Sequence, residues 1–291
     1  KLDFALRHVS LGQACGKISV RSICPFPTED EVVSFPLPAR TRRAKFVPPS
    51  PSPWMVPRPR LAMRLDDARS FPVTLVSAAA GSGKTTLLSE WVRTLDLPWG
   101  WLTLDEEDAS FDQFLTELIT TLEGASPGIG ESMLALLRIE ADVEIDALVA
   151  ELDDDLMALE RDLVIVLDDV HTIRNPRSLE FLQRLLQHPL PLLHLVLGAR
   201  HDPPLPLARL RNRGQLLELR AADLAFTEAE TRDLLRNAGV PGDLAESLGQ
   251  RNEGWAVGIH LGALALRDQP TGGRSVEDIV ASGVHDLIVD D

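Results

Sequence analysis

Val73 to Thr86 reads VTLVSAAAGSGKTT, and the fold turns on how this stretch is interpreted. A β-branched apolar run, Val73 to Val76, ends in a turn of small residues that opens onto the helix-compatible segment Leu87 to Arg93. Strand, phosphate loop and helix is the order that results. Gly81 and Gly83 lack a Cβ, so the backbone there can take positive φ and turn successive N–H groups toward a phosphate at the helix N-terminus. In that motif Lys84 reaches the β- and γ-phosphates and the Thr85 hydroxyl is a ligand of Mg²⁺. Ala80, Gly81, Ser82, Gly83, Lys84, Thr85 and Thr86 are therefore the candidate nucleotide-binding residues. Ala78 stands where the usual pattern has Gly. Lysine usage supports the reading. The chain carries Lys only at 1, 17, 45 and 84, with Arg at every other basic position, and it keeps one in the loop, where a compact ammonium fits between phosphates and a planar guanidinium does not.

Further along, Leu163 to Leu167 (LVIVL) is a continuous apolar run of the kind expected for a central parallel strand, and it ends in Asp168-Asp169. Carboxylates at the carboxyl end of a buried strand lie on the edge where open α/β sheets hold their ligands. Beside a phosphate loop, Asp168 is placed to support Mg²⁺ and Asp169 to orient an attacking water; without one, the pair would read as turn or capping aspartates. His171 either hydrogen-bonds a phosphate or orders the loop, the structural role being the commoner one for a histidine after a strand. Leu192 to Gly198 is the next buried strand and delivers Arg200 to the same edge, as a sensor of the γ-phosphate or as the partner of a neighbouring acid.

The rest of the chain supplies a frame for these residues. With 291 residues, 44% of them hydrophobic, it can bury a large core, and one large domain plus a smaller one is expected. Residues 1–44 show no sustained periodicity and read as a poorly ordered extension; Lys45 to Pro59 is a proline-stiffened arm lying against the domain. Trp99 to Leu104 and Gln215 to Leu219 read as strands. Helices are expected over Arg60 to Ala68, from Phe111 to Leu122, from Ile145 to Leu159 and over Ser178 to Leu186, with a loop from Gly124 to Gly130. Trp91, Trp99 and Trp101 are read as core and not as a base-stacking platform. From Ala222 a smaller helical domain begins, introduced by a capping box at Thr227 and Glu230. The domain reading is thus 1–44 extension, 45–221 nucleotide-binding domain and 222–291 helical domain.

A net charge of −15 opposes contact with a phosphate backbone, so the segment is not expected to read DNA itself. The acidic stretch from Asp142 to Asp155 reads as a solvated helix face. Cys15 and Cys24 form neither a zinc nor a disulfide framework, which points to a reducing, cytoplasmic setting, and no apolar run is long enough for a membrane span. Without an initial Met, and ending at Val289-Asp290-Asp291 with no capping signal, the chain reads as a fragment of something longer.

Several separated blocks together resemble one family, the large ATP-dependent regulators of the MalT and LuxR type within the STAND class of P-loop NTPases. They are VPRPRL at 56–61, AGSGKTTLLSEW at 80–91, WLTLDEEDASFDQFLTEL at 101–118 and VIVLDDVHTI at 164–173. Two more follow, GARHDPPLPLARLRNRGQLLELRAADLAFTEAE at 198–230 and NEGWAVGIHLGALAL at 252–266. The resemblance implies a three-layer α/β sandwich with a parallel sheet in the additional-strand, AAA+-like order, then a small helical domain, the whole being an N-terminal ATPase fragment. It implies ATP or ADP with Mg²⁺ as cofactors, exchange or slow hydrolysis as a switch, self-association on activation, and DNA contact only through a C-terminal helix-turn-helix domain. Ala79 and Ala256 depart from the family in standing where Pro is usual. A metabolic phosphotransferase and a non-hydrolysing ADP-binding scaffold are the competing readings. The first needs a second anion clamp for which no basic cluster is visible near the loop.

Overall fold

A computed structural model describes residues 44–52, 54–105, 110–139, 143–241 and 244–267. Residues 1–43 of the expected extension, both cysteines, most of the acidic turn after Asp105 and the end of the helical domain lie outside the described residues.

In chain order the elements are α1 (Pro59–Asp66), β1 (Val73–Ser77), α2 (Lys84–Val92), β2 (Trp99–Thr103), α3 (Phe111–Ala125), α4 (Glu131–Ile139), α5 (Ile145–Met157) and β3 (Leu163–Asp168). Then come α6 (Pro176–Gln187), β4 (Leu193–Ala199), α7 (Leu207–Asn212), β5 (Leu216–Arg220), α8 (Ala221–Leu224), α9 (Glu228–Asn237), α10 (Ala245–Arg251) and α11 (Ala256–Arg267). The five strands form one parallel sheet in the order β2-β3-β4-β1-β5. β4 is the added strand, set between the loop-bearing β1 and the aspartate-bearing β3.

Alternation along the strands explains the layers. Val73 and Leu75 of β1, Leu163, Ile165 and Leu167 of β3, and Leu195 and Leu197 of β4 share one core with α3 to α7. Val76, Val164, Val166 and Val196 face the other way, against α1, α2 and Trp91. Both faces of the central strands are covered, and β3 accordingly reads as an unbroken apolar run up to Asp168. Trp91 and Trp101 are each 1% exposed, in keeping with their reading as core.

Three local findings go beyond the sequence reading. The segment expected as a loop from Gly124 stays helical to Ala125, and α4, which packs Met133 and Leu134 onto the core, was not anticipated. Asp155 is not merely a solvated charge, since its carboxylate accepts from the Gly130 amide at 2.8 Å and the Ser132 hydroxyl at 2.7 Å. Lys45 is buried as well as Lys84, and its ammonium lies 2.8 Å from Asp105 and 3.5 Å from Glu117.

The helical segment has a separate core of Leu234, Leu235, Ala238, Val240, Ala245, Leu248, Ile259 and Ala263, to which the arm contributes Val56. The capping box forms as expected: Thr227 accepts from the Glu230 amide, and the Glu230 carboxylate accepts from the Thr227 amide at 2.9 Å. Glu230 also receives Arg60 at 3.0 Å, while Arg60 and Arg58 bond the backbone carbonyls of residues 223–225. One carboxylate thus caps α9 and anchors the arm. The arm's other end is held where Arg93 donates to the carbonyls of Pro48 and Pro49, each at 2.8 Å.

Candidate functional site

The turn from β1 into α2 is left-handed at Gly81 (φ 72°) and at Gly83 (φ 84°), conformations that a Cβ disfavours. Gly83 caps α2, so the first amides of that helix point out of the loop. Lys84, the first helical residue, is buried and folds back to donate from Nζ to the carbonyls of Ala78 (2.7 Å) and Ala79 (3.1 Å). Burial lowers its pKa, with Asp169 and Asp168 pulling the other way. Its ammonium therefore sits where more negative charge is favourable.

Thr85 donates from Oγ1 to Oδ2 of Asp168 at 2.7 Å. Asp168 is 1% exposed, and burial raises its pKa against the pull of the Thr85 bond. Loop and aspartate belong to strands that do not touch, because β4 runs between β1 and β3. Gly198 is what lets them meet. A Cβ at that position would lie 2.3 Å from Oδ1 of Asp168, so the carboxylate crosses β4 through the space left by the missing side chain. Sequence reasoning took Gly198 only as the end of a strand; its place beside the Asp pair on the ligand edge was the available signal.

Asp169 adopts the left-handed conformation (φ 58°, ψ 36°), uncommon for any residue but glycine and most tolerated by Asn and Asp, and its amide donates to Oδ1 of Asp168 at 3.1 Å. His171 lies 3.7 Å from Asp169, accepts from the Arg200 backbone amide at 3.4 Å and meets His201 edge-on. Burial lowers the His171 pKa, keeping the ring neutral. Arg200 is exposed at the end of β4, on the same edge as Lys84 and the two aspartates. The sequence-predicted residues are therefore brought together at one sheet edge.

Two groups of contacts were invisible in the sequence. The Trp255 indole donates to the Ala80 carbonyl at 2.9 Å, and the Val257 amide donates to the Gly81 carbonyl at 3.0 Å, so the start of α11 grips the loop itself. The Cβ position at Gly81 lies 2.8 Å from Cβ of Val257, a second reason for glycine there. Arg58, 7% exposed, turns Nη1 toward Gly83, at 3.8 Å from that residue's Cβ position, and this buried nitrogen has no hydrogen-bond partner among the described residues. Arm, loop, α2 and α11 together line an open pocket of about 310 Å³. One end carries Gly81, Gly83, Lys84 and Thr85, and other parts of the wall are the apolar Trp54, Val56, Leu234 and Val257. A phosphate-loop end, an unpartnered nitrogen on Arg58 and apolar side chains in the wall fit a nucleotide, and the hydroxyl–carboxylate pair Thr85–Asp168 is an all-oxygen donor set suited to Mg²⁺.

Comparison with known proteins agrees with this geometry. Residues 59–197 match the family described as the AAA ATPase domain. The fold is that of a P-loop NTPase. The Walker-type ATPase of Pyrococcus abyssi superposes with a TM-score of 0.53 at 15% identity, covering 81% of this chain and 74% of that one. The HTH-type transcriptional regulator MalT of Cronobacter sakazakii is 35% identical over 244 residues, which are 81% of this chain. The resemblance to MalT-type regulators read from the separated sequence blocks is thus borne out, and the P-loop NTPase sheet order expected from it is present. The chain spans 27% of that relative's length. Among the described residues no helix is long and apolar enough to cross a membrane.

Proposed function

We propose that this chain is the ATP-binding, slowly hydrolysing switch module of a LuxR/MalT-type transcription regulator. The observation that carries the reading is the pair of hydrogen bonds, from the Trp255 indole to the Ala80 carbonyl and from the Val257 amide to the Gly81 carbonyl, which ties the phosphate loop to the helical segment. A phosphate on the loop must compete for Lys84, which exchanges the carbonyls of Ala78 and Ala79 for phosphate oxygens. Freed carbonyls alter the loop, and the loop is held by α11. Nucleotide state is in this way passed to the helical segment.

Within the site, Ala80 to Thr86 cradle the phosphates with backbone amides, and Arg58 supplies a buried cation from the arm. Thr85 and Asp168 are the residues that would hold Mg²⁺, whose chemistry is to neutralise charge developing on the phosphates. Asp169, next in the chain to the metal-holding acid, orients the attacking water. Arg200, on the neighbouring strand end, senses the γ-phosphate, and the neutral His171 fixes the turn between them. Self-association follows activation, and DNA is read by the helix-turn-helix of the whole regulator.

Replacing Lys84 by Ala is the direct test. Equilibrium titration with ATP should show at least about a hundredfold loss of affinity, the size expected when a buried charge-assisted phosphate contact is removed. Circular dichroism should remain that of the wild type, because Lys84 otherwise bonds only to loop carbonyls. Equal ATP affinity in a folded variant would overturn the site.

A further inference from the structure

The nucleotide pocket contains one carboxylate that neither the phosphate chemistry nor the fold uses. Glu90 lines it from α2, on the same helix face as Thr86 one turn earlier, and about 9 Å along the axis from Lys84 at 1.5 Å per residue. It is half-buried and makes no hydrogen bond or ion pair among the described residues. Burial raises its pKa, while the Arg58 and Arg93 charges pull it down, and it shares the pocket wall with Arg58, whose Nη1 has no hydrogen-bond partner among the described residues.

An ionised carboxylate is acceptor-only, and it repels phosphates. In a nucleotide whose phosphates sit at Lys84, the groups it can take are neutral O–H or N–H donors set off from the loop by the length of the phosphate chain. Apolar Trp54, Met55, Val56 and Val257 share the pocket wall with the polar Ser52, Thr86 and His260, and none of these bonds Glu90 among the described residues. We propose that Glu90 accepts hydrogen bonds from the vicinal 2′- and 3′-hydroxyls of a ribose and makes this pocket selective for ribonucleotides over 2′-deoxyribonucleotides. Carboxylate recognition of ribose hydroxyls recurs in other nucleotide-binding folds, and a diol supplies two donors where the carboxylate has two acceptor oxygens. This inference rests on the nucleotide reading of the pocket.

The experiment is equilibrium binding of ATP, 2′-deoxy-ATP and inosine triphosphate to the wild type, Glu90→Ala, Glu90→Gln and Lys84→Ala, followed by intrinsic tryptophan fluorescence. Wild type should bind ATP about tenfold more tightly than 2′-deoxy-ATP, the value of one hydrogen bond to a charged acceptor. Glu90→Ala should bring that ratio to about one while still binding both triphosphates, and Glu90→Gln should give an intermediate ratio and serves if the alanine variant folds poorly. A ratio unchanged in the Glu90 variants, or absent in wild type, overturns the inference with the nucleotide site intact. Discrimination against inosine triphosphate that vanishes in Glu90→Ala, with none against 2′-deoxy-ATP, overturns it in favour of the base amino group. Indifference of ATP binding to Lys84→Ala removes the underlying site reading.

Discussion

Asp168 sits in a place that resists charge. Burial raises its carboxyl above the unfolded value, so the native state binds this proton more tightly than the unfolded chain does. Stability from this group is therefore lost as pH rises through the interval between the unfolded and folded pKa values. Asp168→Asn should melt above wild type at neutral pH, with the difference disappearing below the ordinary aspartate range, while Mg²⁺-dependent ATP binding weakens. Asp169→Asn should keep ATP and lose turnover. Paired thermal melts across pH and single-turnover assays check both, and equal loss of binding and turnover in the two variants would make the aspartates structural. Lys84, Thr85 and Asp168 were legible in the sequence because each sits inside a local pattern of strand, turn and helix. Arg58 was not, since its partners Leu224 and Glu230 are distant in the chain and no local spacing announces them.

At the scale of elements, the parallel strands were legible because both faces of β1, β3 and β4 are buried and the runs are continuously apolar. α4 was missed because its short apolar pattern follows Gly128 and Gly130, which read as punctuation although they only turn the chain between α3 and α4. The EGWAVGIH block was recognisable as a family signature, yet its physical use, bonding the phosphate loop 175 residues away, appears only in the fold. Strand insertion makes a sharper prediction. Gly198→Ala places a methyl 2.3 Å from Oδ1 of Asp168, where backbone and a buried carboxylate leave little room to yield. Overpacking of this kind should cost about 1–3 kcal/mol in a urea unfolding series. Because the displaced carboxylate is also the one that meets Thr85, the variant should lose the Mg²⁺ dependence of ATP binding. Wild-type stability together with wild-type Mg²⁺ dependence would show that Asp168 does not need the gap in β4.

For the molecule as a whole, charge and connectivity set the expectations. A net charge of −15 opposes the counterion release that drives association with DNA, and the arginines from Arg200 to Arg213 are split between an exposed turn and the six-residue α7, where Arg211 is engaged with Glu218. Saturable, sequence-selective binding of duplex DNA by this chain is therefore not expected in an anisotropy titration at low salt, and observing it would relocate the DNA-reading function. The central claim is that nucleotide on the phosphate loop is felt by the helical segment. Hydrogen exchange of the peptide spanning residues 252–262, compared without nucleotide, with ADP and with ATP and Mg²⁺, tests it most directly. Nucleotide-driven switching predicts that protection of the Val257 amide, bonded to the Gly81 carbonyl, differs between the ADP and ATP states; identical exchange in all three, under conditions where binding is saturated, would contradict it.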